Sequence, residues 1–293
     1  MKRILSISGG GCRGFLPALT LVEIERRTGK PCCQLFDQIA GTSVGSILAA
    51  LLAIGVPASD AIKFFSEDGP LIFKKQFSMF GLMRPMYPDA VLESRLADRF
   101  KGAKLSDCKT RLLIPAFDWA TEQPWFFKSY DPCPPNLDWL LWQCCRASSS
   151  AQTYFRAFDC NGHLFWDGGN TTENNPAKAA FADGIKAWGI FDQIKVLSLG
   201  CGDTPLGVDV NRIADAGSIY CALASLAVLF DASSEETDYL FRTLIQDDYV
   251  SFNPVLTQKI DLADASENAR NEMRALWGQS IGAFSNKLDD FFK

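Results

Sequence analysis

Short apolar runs alternate along the chain with longer segments in which apolar residues recur at helical spacing. The short runs predict strands at 3–8, 35–40, 111–117, 124–130, 163–166 and 194–199. The longer segments predict helices at 15–27, 47–54, 137–147, 176–188, 209–230 and 233–246, and an apolar stripe from 269 to 291 predicts a last helix. Strands and helices that alternate in this way are typical of a mostly parallel sheet covered by helices on both faces. The pattern therefore predicts an α/β fold.

The size and composition of the chain fit one large domain. Its 293 residues are 47% hydrophobic, which is enough to bury a substantial core. No repeat, low-complexity tract or linker divides the chain, so we expect a single domain over 1–293. Its motif-bearing core spans about 3–205, and C-terminal helices at 206–293 pack on that core. The net charge of −5 and the lack of a basic tail give no indication of a nucleic-acid groove, so we expect no nucleic-acid partner.

The sequence gives no indication of secretion or membrane insertion. Met1-Lys2-Arg3 is followed by a few strand-like residues and then by glycines, so the apolar region of a signal peptide is missing. The longest apolar stretches, 47–56 and 219–230, are shorter than the ~20 residues of a membrane span. Ten cysteines without metal-like spacing and a single histidine exclude a zinc site with two or more histidine ligands. We expect a cytoplasmic protein that is at most peripheral at membranes and has no metal or other cofactor.

Residues 9–14, GGGCRG, match the pattern G-x-G-x-x-G between a predicted strand and a predicted helix. A dinucleotide-binding site also needs an acidic residue about 20 positions later, at the end of the second strand. That strand ends instead in Gly41-Thr42-Ser43, which argues against a dinucleotide site. The alternative is a glycine loop whose backbone N–H groups stabilise an oxyanion.

Ser43 lies between two glycines at a predicted strand-to-helix turn. The sequence GTSVGS at 41–46 places Gly41 two residues before it and Gly45 two residues after it. This G-x-S-x-G spacing is typical of a nucleophilic serine on a sharp turn, although an ordinary glycine-rich turn has the same pattern. A glycine loop that follows the preceding strand would lie beside this turn at the carboxyl edge of the sheet. The two motifs together favour a serine nucleophile.

A serine hydroxyl needs a general base, and two residues are candidates. His163 is the only histidine and precedes the nearest aspartate, which argues against a Ser-His-Asp triad. Asp167 directly follows a predicted strand and precedes Gly168 and Gly169, so we expect it at the same sheet edge as Ser43. A common Asp-Gly turn remains the alternative for Asp167. For His163 we expect a solvated or hydrogen-bonded loop histidine.

Three motifs follow one another in an order that points to a known family. GGGCRG at 9–14, GTSVG at 41–45 and DGG at 167–169 resemble, in order and spacing, the motifs of the patatin-like phospholipase family. RASSSAQTYF at 146–155 and NNP at 174–176 resemble further family segments. The resemblance covers about residues 3–200. It implies a three-layer α/β/α sandwich with a mostly parallel central sheet, and a metal-free lipid acyl hydrolase with a serine–aspartate dyad.

The resemblance also implies roles for individual residues. Ser43 would be the nucleophile and Asp167 the general base, and the flanking motif positions are Gly41, Gly45, Gly168 and Gly169. The oxyanion loop would consist of Gly9, Gly10, Gly11, Arg13 and Gly14. Arg13 either holds this loop in shape or meets a phosphate. The expected substrate is a phospholipid or lysophospholipid, reached during transient contact with a membrane surface.

Two other functions stay open beside the free-running hydrolase. One is a gated effector phospholipase in antiviral defence, silent until a nucleotide activator or a partner binds; purified protein would then be inactive without additives. The other is a storage or scaffold protein with a dead site, which the intact Ser43 and Asp167 argue against.

Residues 63–88 contain five Phe, three Met and four basic residues against two acidic ones. They include turn-forming residues but no clear strand pattern. We interpret this segment as a mobile, partly apolar lid that touches the lipid surface. The alternative is a cap packed permanently on the core.

Overall fold

A computed structural model describes residues 1–74, 85–131, 138–189, 193–203 and 232–293 of the chain. Its strands are β1 (Lys2–Ile7), β2 (Gln38–Gly41), β3 (Arg111–Asp118), β4 (Gln123–Lys128), β5 (Phe158–Cys160), β6 (His163–Asp167), β7 (Ile194–Leu199) and β8 (Tyr249–Phe252). Its helices are α1 (Phe15–Thr28), α2 (Cys32–Leu35), α3 (Val44–Ala53), α4 (Ala58–Ala61), α5 (Gly69–Ile72), α6 (Asp89–Phe100), α7 (Leu141–Ser148), α8 (Ala177–Trp188), α9 (the helical residues 232–244) and α10 (Glu267–Phe292). The helix predicted at 209–230 lies outside the described residues.

The strands form one mixed sheet. Its order is β5-β6-β3-β2-β1-β7-β8, and β4 pairs with β3 outside this path. The five strands β3, β2, β1, β7 and β8 run parallel to one another. The pairs β3–β4, β3–β6 and β5–β6 are antiparallel. The parallel centre confirms the predicted α/β class, and the antiparallel strands extend it at one edge.

Helices cover both faces of this sheet, so the three-layer α/β/α arrangement is confirmed. The larger core lies between one face and α1, α3, α6, α7 and α10. The smaller core lies between the other face and α8, with Phe241 of α9 packed against Phe181 and Tyr249. All ten residues of α3 are buried, as its apolar sequence predicts.

Several element boundaries follow the glycines and prolines of the sequence. α1 ends at Gly29, whose positive φ of 67° lets its N–H donate to Glu25 O. The predictions missed one whole helix, α6 (Asp89–Phe100), and otherwise differ from the structure only in short segments. The strand predicted at 35–40 begins only at Gln38, because 32–35 form a helical turn, and β5 and β8 were not predicted. Strands of three or four residues are too short to display a clear alternation.

The C-terminal residues pack on the rest of the fold. β8 adds a strand to the sheet beside β7, and α10 lies along α1. Trp277 Nε1 donates to Thr20 Oγ1 at 3.0 Å, and Arg27 forms an ion pair with Asp289 at 3.1 Å. Within the described ranges, no helix is both long enough and apolar enough to cross a bilayer.

The segment interpreted as a lid packs several of its described apolar residues on the rest of the fold, although Leu71 is exposed. Phe64 and Ile72 are buried, and Phe73 contacts Tyr87 edge to face with ring centroids 5.3 Å apart. These contacts fit a packed cap better than a free lid. Residues 75–84 of the segment lie outside the described residues.

Candidate active site

Ser43 occupies a sharp turn between β2 and α3. Its backbone angles are φ 53° and ψ −128°, a conformation that residues other than glycine seldom adopt. The turn packs so closely on β1 that a Cβ atom at Gly45 would collide with Ile7 O. Glycine is therefore required at position 45, and the backbone strain is concentrated at the serine between the two glycines.

Hydrogen bonds hold the Ser43 backbone in this conformation. The Ser43 N–H donates to Ser148 Oγ at 2.9 Å, and the Ser148 hydroxyl donates in turn to Pro115 O at 2.6 Å. The Ser43 carbonyl accepts a hydrogen bond from Ser46 Oγ at 2.5 Å. The turn is thus tied both to the helix that follows it and to β3.

Asp167 reaches Ser43 by a route that the sequence did not predict. β2 pairs with residues 111–113 of β3, whereas β6 pairs antiparallel with residues 116–118. β4 occupies the other edge of β3, so β2 and β6 lie on the same edge and run towards each other. The predicted proximity is present, but its predicted cause, two strands that end at one parallel edge, is wrong. The two strands meet end to end.

The Asp167 carboxylate is completely buried. Its Oδ1 accepts a hydrogen bond from Gly169 N–H at 2.8 Å. Burial raises the pKa of Asp167 from an ordinary 3.8 to about 7, against the lowering effects of the Ser43 side chain and the Gly169 N–H. Within the described part of the chain, the buried Oδ2 has no hydrogen-bond partner.

The glycine loop after β1 lies beside the serine. A Cβ atom at Gly9 would lie 3.1 Å from Ser43 Cβ. The N–H groups of two predicted members of the loop already donate to backbone carbonyls of the protein. Gly9 donates to Asn174 O at 3.1 Å, and Arg13 donates to Gly10 O at 3.1 Å. Their amides are therefore occupied in this structure.

Other amides near the serine are available. No described residue accepts a hydrogen bond from the N–H of Gly10 or Gly11. The same holds for Val44, the first residue of α3, because the first N–H groups of a helix have no partner inside it. Gly14 has a packing role, since a Cβ there would press on Val44 and Phe65. Sequence reasoning missed Val44, although its place directly after the serine was a usable signal.

A cavity of about 310 Å³ opens onto these groups. It is lined by Ser43, Asp167 and four of the five predicted loop residues, Gly9, Gly10, Gly11 and Arg13, whereas Gly14 does not line it. One part of its wall is apolar and consists of Val44, Ile47, Phe64, Ile72, Phe73, Leu92 and Phe155. Another part is polar and consists of Asn174, Asn175, Ser198, Asp203, Ser234, Asp238, Ser251 and Asn253. The serine therefore lies where an apolar chain and a polar group can both be accommodated.

His163 belongs to a different environment. It is the first residue of β6, so the prediction of a loop histidine is wrong, but the histidine is hydrogen-bonded. Its Nδ1 lies 2.8 Å from Oδ2 of the buried Asp118, and its ring packs on Trp125 and Phe165. It does not line the cavity that contains Ser43. In the described ranges, no group of three or more His, Cys, Asp and Glu side chains is arranged to hold a metal ion.

The fold and cavity define an α/β protein in which a serine on a sharp turn, a buried aspartate and a glycine loop lie together. The sequence model of the family described as patatin-like phospholipase matches residues 5–181, more than half of the chain. The chain therefore belongs to the patatin-like phospholipase family, whose members are generally lipid acyl hydrolases. The resemblance inferred from the three motifs is confirmed.

Individual relatives are similar over most of the chain. Patatin-like protein 1 of Oryza sativa subsp. indica is 31% identical over 329 residues, covering 94% of this chain and 79% of its own length. The cGAMP-activated phospholipase of Pseudomonas aeruginosa is 28% identical over 299 residues, covering 98% of this chain and 85% of its own length. Among solved structures, VipD from Legionella pneumophila superposes with a TM-score of 0.45 and 12% identity, covering 95% of this chain and 67% of VipD.

Proposed function

We propose that this protein is a lipid acyl hydrolase of the phospholipase A or lysophospholipase type, with Ser43 as nucleophile and Asp167 as general base. The observation that carries the proposal is the meeting of these two side chains beside a glycine loop in a partly apolar cavity. Family membership supports the reaction class. The names of relatives that are phospholipases support a phospholipid or lysophospholipid substrate.

In the proposed reaction, Ser43 Oγ attacks the ester carbonyl while the Asp167 carboxylate takes the serine proton. The carbon–oxygen bond of the ester then breaks, and Asp167 returns the proton to the departing alcohol. Water attacks the acyl-enzyme by the reverse proton path and releases the fatty acid. A carboxyl group with a pKa of about 7 is a stronger base than an ordinary carboxylate and is still half ionised near neutral pH.

The oxyanion of the tetrahedral intermediate needs donors that are already oriented. The available N–H groups of Gly10, Gly11 and Val44 fit this role, and the start of α3 adds the positive end of the helix dipole. Of the five predicted loop residues, Gly10 and Gly11 are thus proposed as donors. Gly9, Arg13 and Gly14 are proposed to shape the loop.

The two parts of the cavity wall suggest how the substrate lies. The apolar part, which includes Ile47 and Phe73, is proposed to hold the acyl chain. The polar part is proposed to hold the glycerol and headgroup. We also propose a single domain over 1–293, because β8 and α10 complete the same sheet and core. Its proposed location is the cytoplasm, with transient contact at a membrane surface.

Covalent labelling tests this proposal directly. An organophosphonate ester forms a stable tetrahedral adduct with a serine activated beside an oxyanion site, so we expect peptide mapping to find the label on Ser43. The Ser43→Ala variant should take up no label and should leave total lipids unchanged in mass spectrometry, whereas the wild type releases fatty acid. A label on another serine of active protein would exclude Ser43 as the nucleophile.

A second candidate function is a hydrolase controlled by a nucleotide. The relative named a cGAMP-activated phospholipase aligns with 98% of this chain, which favours regulation of this kind over a storage role. Assays of purified protein with and without cGAMP separate the two candidates. Activity without any additive identifies the free-running hydrolase, and activity that requires the nucleotide identifies the gated effector.

A further inference from the structure

Three consecutive serines follow one another between the two candidate catalytic residues. Ser148, at the end of α7, accepts a hydrogen bond from the Ser43 N–H at 2.9 Å. Ser150 O accepts a hydrogen bond from the Asp167 N–H at 3.2 Å. The first serine thus holds the backbone of the nucleophile and the third holds the backbone of the base. Ser149 lies between them in sequence and in space.

The side chain of Ser149 is buried and makes no hydrogen bond within the described part of the chain that would explain its presence. The residue is 7% exposed, and among the described residues its buried Oγ has no hydrogen-bond partner. It lines the same cavity as Ser43 and Asp167. A buried hydroxyl without a partner destabilises the folded protein, so its presence requires an explanation. Its neighbours Ser148 and Ser150, by contrast, both use their hydroxyl groups.

We propose that Ser149 is a further catalytic residue, whose hydroxyl binds the oxygen of the leaving group. During acylation Ser149 Oγ–H donates a hydrogen bond to the ester oxygen that departs. During deacylation the same hydroxyl holds the attacking water. This inference rests on the proposed function, because it assumes an ester bound between Ser43 and Asp167.

The chemistry favours one group for both steps. Deacylation is the reverse of acylation with water in place of the alcohol, so the departing oxygen and the attacking water occupy the same position. A serine hydroxyl is both a donor and an acceptor, and can therefore bind an alkoxide as well as a water molecule. The proton itself moves between Ser43, Asp167 and the departing oxygen. Ser149 forms and breaks no covalent bond and ends each cycle with its own proton.

The dependence of the rate on the leaving group tests the role. Two esters with the same short acyl chain are compared, one of p-nitrophenol and one of glycerol. The p-nitrophenolate ion leaves without help, whereas the glycerol oxygen develops negative charge before Asp167 protonates it and is then stabilised by a hydrogen-bond donor. For Ser149→Ala we expect kcat/KM to fall ~10–100-fold on the glycerol ester, since a hydrogen bond to a developing charge is lost, and under about threefold on the p-nitrophenyl ester.

Matched variants control for structure. Ser149→Thr keeps a hydroxyl and should recover most of the activity on the glycerol ester. Ser280→Ala removes a hydroxyl on α10 that donates to Leu276 O, far from the cavity, and should change neither rate. Should Ser149→Ala fail to fold by circular dichroism, Ser149→Cys retains the volume with only a weak donor and gives the same comparison. Equal losses of kcat/KM on both esters, or no loss of kcat/KM on either, would overturn the inference.

Labelling distinguishes this inference from the proposed function. Phosphonylation of Ser43 by a reagent with a good leaving group needs the nucleophile and the base but not Ser149. We expect wild type and Ser149→Ala to be labelled on Ser43 at similar rates. If the wild type is not labelled on Ser43, the proposed function fails. If both are labelled and the two esters respond alike, only the role of Ser149 fails.

Discussion

The parallel and the antiparallel parts of the sheet contribute different halves of the candidate site. The parallel strands β1 and β2 end in the glycine loop and in the serine turn. The antiparallel strand β6 ends in Asp167. Neither part contains both the proposed nucleophile and the proposed base. The comparison shows that the site depends on how the two parts are joined along β3.

Pro115 lies on β3 at the point where the parallel and the antiparallel parts of the sheet meet. It lies on β3 between the residues that pair with β2 and those that pair with β6. A proline has no N–H to donate to a neighbouring strand, so an interruption of the ladder costs little at this position. Its carbonyl accepts the Ser148 hydroxyl at 2.6 Å and lies against Gly168. One residue of β3 therefore contacts both the support of the serine and the turn after the aspartate.

The largest expected effect comes from the antiparallel contribution. Asp167→Asn preserves the shape of the side chain but removes the proton acceptor, so we expect the rate on a soluble ester to fall ~10²–10⁴-fold. The variant should also melt at a higher temperature than the wild type at pH 8. The pKa of Asp167 is 3.8 ordinarily and about 7 in the folded protein, so the destabilisation by this buried carboxyl group grows between these two pH values and is complete above pH 7.

The double variant checks that both parts serve one reaction. Ser43→Ala combined with Asp167→Asn should be no slower than Ser43→Ala alone, because residues that act as a unit are not additive. Steady-state rates of the four proteins on one ester provide the measurement. A further loss in the double variant would mean that Asp167 has a function independent of Ser43.

Loss of the hydrogen bonds that connect the two parts of the sheet should lower the rate by a smaller factor. Ser148→Ala removes the acceptor of the Ser43 N–H and the bond to Pro115, so the serine is held less accurately. Misplacement of a reacting group typically lowers the rate, and we expect a loss of ~10–100-fold in kcat with little change in KM. The Ser46→Ala variant, which loses a bond to the Ser43 carbonyl within the same part of the fold, is the comparison. A variant with wild-type kcat would show that the two parts are joined by other contacts.

The pH dependence should report the environment of the base. Asp167 must lose its proton to act, so kcat/KM should fall about tenfold per pH unit below an apparent pKa near 7 and be constant above it. Burial also raises the pKa of Glu173 to about 7, but Glu173 does not line the cavity. The Glu173→Gln variant should therefore keep the same profile. If the Glu173→Gln variant has a shifted pH profile, the titrating group is Glu173 and not, as we propose, Asp167.

The smallest effect on the rate is expected at His163. His163→Ala should leave activity within a few-fold, because the imidazole bonds to Asp118 and does not line the cavity. Stability should fall by about 1–3 kcal/mol, since a buried carboxylate loses one of its hydrogen-bond partners. Thermal melting and the ester assay measure the two quantities on the same sample. A folded but inactive variant would make His163 the base.

The sequence predicted the parallel half of the site better than the antiparallel half. The glycine loop and the turn around Ser43 are local features, in which each residue is constrained by its immediate neighbours. Asp167 was identified by its own motif, but its path to Ser43 was not, because the direction of β6 depends on pairing with a distant strand.

The supporting residues were not predicted for the same reason. The bond between Ser43 and Ser148 joins positions 105 apart, and nothing near either residue indicates the other. The segment RASSSAQTYF, which contains Ser148, resembles a family segment, but this resemblance does not indicate the hydrogen bond to Ser43. The available amide of Val44 follows from its place as the first residue of α3.

One contact of the glycine loop comes from far along the chain. Cys12 N–H donates to Leu262 O at 2.7 Å, and Gly11 packs so tightly on that carbonyl that no side chain would fit there. Leu262 lies well beyond the region matched by the family. A gene that encodes all three motifs but has lost the codons for the segment around Leu262 would therefore encode a protein whose glycine loop lacks this contact. A genome survey by motif alone would count such a pseudogene as a working enzyme.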